Sequence, residues 1–256
     1  MTSAVPPSSR GAQPPILPAL PPYLTIRQEE VTRPTCFRML IHGQSKLGKT
    51  TFGADLHSPG GRALSLYAAP PANHQALRDR PHVVLGSLAD LEAAASQLDF
   101  GPYETVTLDD IQSVIEWAIE ATAKAATKDF DDLKYGRGWG IVRRRVMSVL
   151  DAIGRRARSV LVISKTKMVT PVGEKEPSAV TPDIAPNLWQ PLQGDFDLIG
   201  FAMPGPGKGR NELSFTPTRV ITAGDRWGIM GAGPMPLDGA EFMRRFRENP
   251  WTPRKP

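Results

Sequence analysis

Cysteine is almost missing from this 256-residue chain: Cys36 stands alone, which excludes an intramolecular disulfide and leaves no basis for a cysteine metal site. The four histidines, His42, His57, His74 and His82, show no ligand spacing either. Long apolar runs are also missing. None approaches the roughly 20 residues needed to cross a bilayer, and the opening MTSAVPPSSRGAQPP has no apolar signal core. The expectation is a cytoplasmic protein with no membrane partner. Acid is scarce in one stretch. From Arg143 to Lys167 the cations are Arg143, Arg144, Arg145, Arg155, Arg156, Arg158, Lys165 and Lys167, against Asp151 alone. With a formal net charge of +5, this favours polyanion contact, although charge alone fits a solvated helix face equally well.

At 40% hydrophobic content the chain can bury a full core. Proline crowds residues 1–35 (PPSS, QPP, LPALPP, TRPT), where missing N–H donors and fixed φ disfavour helix and central strand; an extended or disordered arm is expected. Its apolar residues Ile16, Leu17, Leu20, Tyr23 and Leu24 are a weak hint of subunit contact. Residues 36–247 then form one domain, and 248–256 a tail.

The centre of that domain is the run from Phe37 to Leu56, FRMLIHGQSKLGKTTFGADL. Gly43, Gln44, Ser45, Lys46, Leu47, Gly48, Lys49 and Thr50 fit G-x-x-x-x-G-K-[ST], preceded by a buried-strand pattern and followed by a helix opening with Thr51. Such a loop cradles a polyphosphate with backbone N–H groups at a helix N-terminus, and glycine lets the backbone come close. Lys49 would reach the β- and γ-phosphates, and the Thr50 hydroxyl would ligate Mg²⁺. Downstream, YETVTLDD reads as a buried strand ending in acid. Asp109 fits the carboxylate that holds the Mg²⁺ shell, and Asp110 either a base that polarises water or the N-cap of the helix from Ile111 to Lys124.

Other elements follow from pattern. Arg62 to Ala68 and Val83–Val84 read as strands, and Ser87 caps a helix to Leu98. The glycine-rich KDFDDLKYGRGWG, with Tyr135 and Trp139, reads as a loop before a helix from Ile141 to Ala157. SVLVIS at Ser159 to Ser164 is a continuous apolar run of strand length, hence a buried parallel strand, and ends at Lys165. Lys167 to Gln193 reads as a long proline-bearing loop. Phe196 to Ala202, Arg219 to Thr222 and RWGIM at Arg226 to Met230 read as strands, and Asp238 to Phe246 as a final helix. Strands alternating with helices around a P-loop predict an α/β fold, a RecA-like core whose mainly parallel sheet is flanked by helices. Phosphate would sit at the carboxyl ends of the strands, where Gly43 to Thr50, Asp109, Asp110 and Lys165 converge.

In its order of motifs the chain resembles the RecA-like P-loop ATPases of bacteriophages, the phage nucleotide-binding protein family whose recombination members form the Sak-four group. The resemblance rests on GQSKLGKTTF, YETVTLDDI, KYGRGWGIVRRRV, SVLVIS, PDIAPNLWQPLQGDFDLIGFAM and RVITAGDRWGIM. It implies ATP and Mg²⁺ as cofactors, homo-oligomers, single-stranded DNA as a partner, and phage single-strand-binding or recombination proteins as further partners, in the host cytoplasm. It also implies that Arg226 stabilises charge on the γ-phosphate, across a subunit interface or within its own subunit. Three positions depart from the family pattern: Ala69 where an acid is usual, Lys165 where a histidine is usual, and Gly224 where a lysine is usual. The implied reaction, ATP hydrolysis to ADP and phosphate, is therefore expected to be slow, with Lys49, Asp110, Lys165 and Arg226 as its catalytic groups.

For the DNA contact, Arg143, Arg144, Arg155, Arg156 and Lys167 would neutralise the backbone, and Trp139 or Trp189 would stack on bases. Two rival functions share the P-loop. One is an ATP-dependent switch or assembly protein acting through oligomerisation without direct DNA contact; the other is a small-molecule kinase, for which no acceptor site is evident.

Overall fold

The computed structural model describes residues 33–68, 77, 79–133, 137–170, 178–207 and 209–251. Expectations for the arm before Arg33, for Ala69, for Tyr135 and for residues 252–256 lie outside these residues. Six parallel strands form the centre of the main sheet: β1 (Arg38–Gly43), β2 (Ala63–Tyr67), β3 (His82–Val84), β4 (Thr105–Asp109), β5 (Ser159–Ser164) and β8 (Leu198–Pro204). They lie in the order β8-β1-β5-β4-β2-β3. The remaining strands are β6 (Thr166–Val169) and β7 (Ala179–Pro182), an antiparallel pair, and β9 (Asn211–Ser214), β10 (Gly224–Asp225) and β11 (Met235–Pro236), which extend the main sheet beyond β8 in antiparallel fashion.

Strand alternation sorts the core into two layers. Leu40, Val160 and Val162 face α2 (Leu88–Gln97), α3 (Ile111–Ala126), α4 (Arg137–Arg156) and α5 (Pro186–Leu192). Met39, Ile41, Leu161 and Ile163 face the other way, against Phe52 and Leu56 near α1 (Lys49–Ala54) and Phe242 and Phe246 of α6 (Gly239–Glu248). A strand buried on both faces needs apolar residues at every position, which is why SVLVIS reads as a continuous run. Three helices begin on caps visible in the sequence: Ser87 accepts from the Asp90 N–H, Asp110 from Ser113, and Asp238 from Glu241.

The segment from Lys167 to Gln193 departs from the expected loop. Its described residues form the β6–β7 strand pair followed by α5, because Pro186 occupies a first-turn position, where a missing N–H costs nothing, and Leu188, Trp189 and Leu192 then fall on one buried face. Arg219 to Thr222 is not a strand but an irregular segment. Thr218 Oγ1 accepts from the N–H groups of Val220 and Ile221, and only Ile221 bridges to Val180. Likewise RWGIM is a turn organised by Asp225, whose carboxylate accepts from the backbone of Trp227, Gly228 and Met230.

Candidate functional site

At the carboxyl ends of β1, β4 and β5 lies a cleft of about 480 Å³, lined among others by Ser45, Lys46, Gly48, Lys49, Thr50, Thr51, Tyr67, Asp109, Asp110 and Lys165. That size suits a small-molecule ligand. One strand, β5, separates the loop-bearing β1 from the acidic end of β4.

The two glycines of the loop serve different needs. A Cβ on Gly43 would sit 2.6 Å from the Ala202 carbonyl oxygen of β8, so close strand packing requires glycine there. Gly48, the N-cap of α1, has φ of 90° and open space around it, so its requirement is conformational. Lys46 also lies in the left-handed region, at φ 68°. Gln44 is exposed, while Leu47 is half-buried against the α1/α6 side of the core.

Lys49 is 8% exposed and donates to the carbonyls of Gly43 (2.8 Å) and Gln44 (2.7 Å). Burial lowers its pKa to about 8, opposed by Asp109 and Asp110. Thr50 Oγ1 donates to Asp109 Oδ2 at 2.5 Å. Asp109 is 6% exposed, and burial, reinforced by Asp110, raises its pKa to about 6 despite the Thr50 hydrogen bond and the nearby Lys49 and Lys165. A hydroxyl and a desolvated carboxylate meeting at the cleft floor are hard oxygen donors short of positive charge, and so fit a divalent cation such as Mg²⁺.

Asp110 takes the capping role of the two read for it. Its Oδ1 caps α3 through the Ser113 N–H (2.9 Å), and its Oδ2 lies 3.6 Å from Lys165 Nζ. Lys165 remains half-exposed at the cleft rim. Residues outside the motifs complete the surroundings. Tyr67 ends β2 beside the two acids; its phenol is pushed up to about 12 by burial first and then by these charges. Gln112 donates to Ser164 Oγ and the Asp183 carbonyl, clamping the root of the β6–β7 pair. His42 is fully buried and its pKa falls to about 4, chiefly through burial. The neutral ring therefore donates from Nε2 to the Thr222 carbonyl (2.7 Å) and accepts at Nδ1 from Thr166 Oγ1 (3.0 Å). Only the placement of His42 next to Gly43 hinted at this.

Other expected site residues lie elsewhere. Arg226 sits at the opposite end of the sheet: it pairs with Asp197, and Asp197 also accepts the N–H of Arg38, the first residue of β1. Within one molecule it is about the length of a six-residue strand, roughly 20 Å, from the loop. Trp189 is 8% exposed within the core and cannot stack on a base. Trp139 is half-buried, edge-on to Phe130. Arg156 is committed: it donates to the Ala95 and Leu98 carbonyls at the end of α2 and lies over Phe100. Arg143, Arg144 and Arg155 are exposed on α4 with no ion pair among the described residues, and Lys167 is exposed on β6.

Asp109 and His42 act oppositely on the pH dependence of stability: the buried His42 ring, its pKa held at about 4, makes stability rise with pH between about 4 and 6.5. The folded pKa of Asp109 lies above the ordinary 3.8, so between about pH 4 and 6 this carboxyl binds more protons in the folded state than in the unfolded one, and its own contribution to stability falls as pH rises through that window. At pH 7 the cost is present in full, about 3 kcal/mol. Asp109→Asn is expected to raise the midpoint of urea unfolding at pH 7, to leave the rise of stability with pH between about 4 and 6 that comes from His42 unopposed, and to remove any Mg²⁺-dependent part of nucleotide affinity.

The layered sheet, the glycine-bearing loop and the acid-tipped β4 define a P-loop NTPase with a RecA-like core. A family model described as AAA domain (AAA_24) matches residues 35–227, and the chain belongs to that family. Among solved structures, one titled "Crystal structure of the RadB recombinase" is similar at 14% identity, covering 70% of this chain and 79% of that chain, with a TM-score of 0.40. A likeness that loose carries no argument about function. No curated protein matches the chain significantly. Among the described residues no helix is long and apolar enough to cross a membrane.

Proposed function

We propose that this protein binds ATP with Mg²⁺ in the cleft at the carboxyl ends of β1, β4 and β5, and hydrolyses it slowly as a phage Sak-four-like ATPase that acts on single-stranded DNA in recombination or annealing. The observation that carries the nucleotide reading is the convergence of Lys49, Thr50, Asp109, Asp110 and Lys165 on one cleft. Lys49 and the N-terminal amides of α1 would hold the polyphosphate, and Thr50 and Asp109 the metal, which when bound offsets phosphate charge. Slowness is expected because Asp110, the carboxylate read as polarising water, is already engaged by Ser113 and Lys165.

The DNA reading is supported by Arg143, Arg144, Arg155 and Lys167, which are exposed cations. Neutralising backbone phosphates with such groups makes affinity fall steeply with salt. ATP turnover measured with and without single-stranded DNA tests the reading. A slow basal rate raised several-fold by the strand is expected, together with salt-sensitive binding. Turnover indifferent to DNA, with no salt-sensitive binding, would overturn the DNA part and favour an ATP-dependent assembly switch. Failure to bind MgATP at all would overturn the nucleotide reading.

A further inference from the structure

The loop between β1 and α1 is held from outside by a residue far away in sequence. Asn211, first residue of β9, donates from Nδ2 to the Leu47 carbonyl at 2.8 Å. Its own backbone is fixed: its carbonyl accepts from Leu237, and it pairs in register with Pro204 of β8. The antiparallel extension of the sheet thus presents a rigidly placed donor to the crest of the loop.

That contact determines where the next amide points. In a trans peptide the C=O and the following N–H lie in one plane and point in opposite directions. A Leu47 carbonyl drawn outward to β9 therefore turns the Gly48 N–H away from β9, and Gly48 lines the cleft. Among the described residues no other hydrogen bond is made by the Leu47 carbonyl or the Gly48 N–H. Gly48 has no side chain, a φ of 90° and, its chain neighbours aside, open space where a Cβ would be, so no packed side chain holds the Leu47–Gly48 peptide from that side.

We propose that Asn211 is a positioning residue that locks the Leu47–Gly48 peptide with its N–H aimed at the bound polyphosphate. The inference rests on the nucleotide reading above and extends it to a residue outside the loop. Anion binding by a ring of amides depends on each N–H being pre-aimed, because a flipped peptide presents a carbonyl oxygen to the phosphate instead.

The test uses the full chain carrying Asn211→Ala, with inorganic tripolyphosphate and MgATP as probes in titration calorimetry, below the melting temperature of both proteins. Weakening of both ligands by roughly tenfold is expected, the worth of one hydrogen bond to a pre-aimed amide, with KM for MgATP raised and kcat within about threefold. The melting temperature should shift little, since the β8–β9 backbone pairing is retained. Should Asn211→Ala fail to fold, Asn211→Ser carries the same measurement. Unchanged affinity for tripolyphosphate in a folded variant overturns the proposal. So does a loss that affects kcat and KM alike alongside a large fall in melting temperature, which marks a merely structural role. A wild-type protein that binds neither probe removes the nucleotide reading itself, a result distinct from wild-type binding that the variant retains.

Discussion

Lys49→Ala is expected to weaken MgATP binding by about 100-fold or more while the protein stays folded, because a charge-assisted contact to phosphate is among the strongest a side chain makes. The same substitution bears on stability. The folded pKa of Lys49, about 8, lies below the ordinary 10.5, so the folded state binds fewer protons between those values and stability rises with pH through that window. Below about pH 8 the burial of this cation costs about 3 kcal/mol. Alanine removes that cost and leaves the Gly43 and Gln44 carbonyls without their donor, so the melting temperature should stay level or rise. Calorimetric titration and a thermal melt decide the matter together. Full affinity in a folded variant would refute the site, and a large fall in stability would make Lys49 a structural strut. Removing Lys49 also takes away a charge that lowers the pKa of Asp109, so that carboxyl should become a still weaker acid.

Trp189→Ala is expected to destabilise the protein by about 3–5 kcal/mol, the usual cost of deleting a large buried aromatic. Trp189 lies with Leu188 and Leu192 on the buried face of α5, within the core layer that includes Val149 and Ile153 of α4. Urea unfolding measures the loss. A stacking platform for bases would behave in the opposite way, with stability nearly unchanged and affinity for single strands reduced. A loss below about 1 kcal/mol would return Trp189 to the surface.

The parts of the site that could be read from the sequence were those fixed by local chemistry. The loop spells its glycines and lysine at set spacing, SVLVIS declares a strand buried on both faces, and Ser87, Asp110 and Asp238 announce helices through their caps. Other features depend on partners distant in sequence. The strands β9 to β11 are two to four residues long and exist because β8 offers an edge to β9 and β10, and β9 in turn to β11, so no periodicity could reveal them. A further reason for Gly43 was hidden by the same cause: the atom that excludes a side chain belongs to Ala202, in another strand. Trp189 looked available because prolines suggested an open loop, whereas Pro186 starts a helix that turns the indole inward. Arg226 could be spotted as a motif, but which end of the sheet it occupies is a matter of topology.

Under the proposed reading of Arg226 as a ligand of the γ-phosphate, that last placement would decide how copies of the chain meet. An arginine on the underside of the sheet reaches a triphosphate only if it belongs to a neighbouring molecule, and such a contact joins two unlike faces. Repeated, it builds either a closed circle or a polar fibre. In the fibre one terminal subunit would always lack its donated guanidinium, so turnover per subunit would grow with the number of molecules in the row.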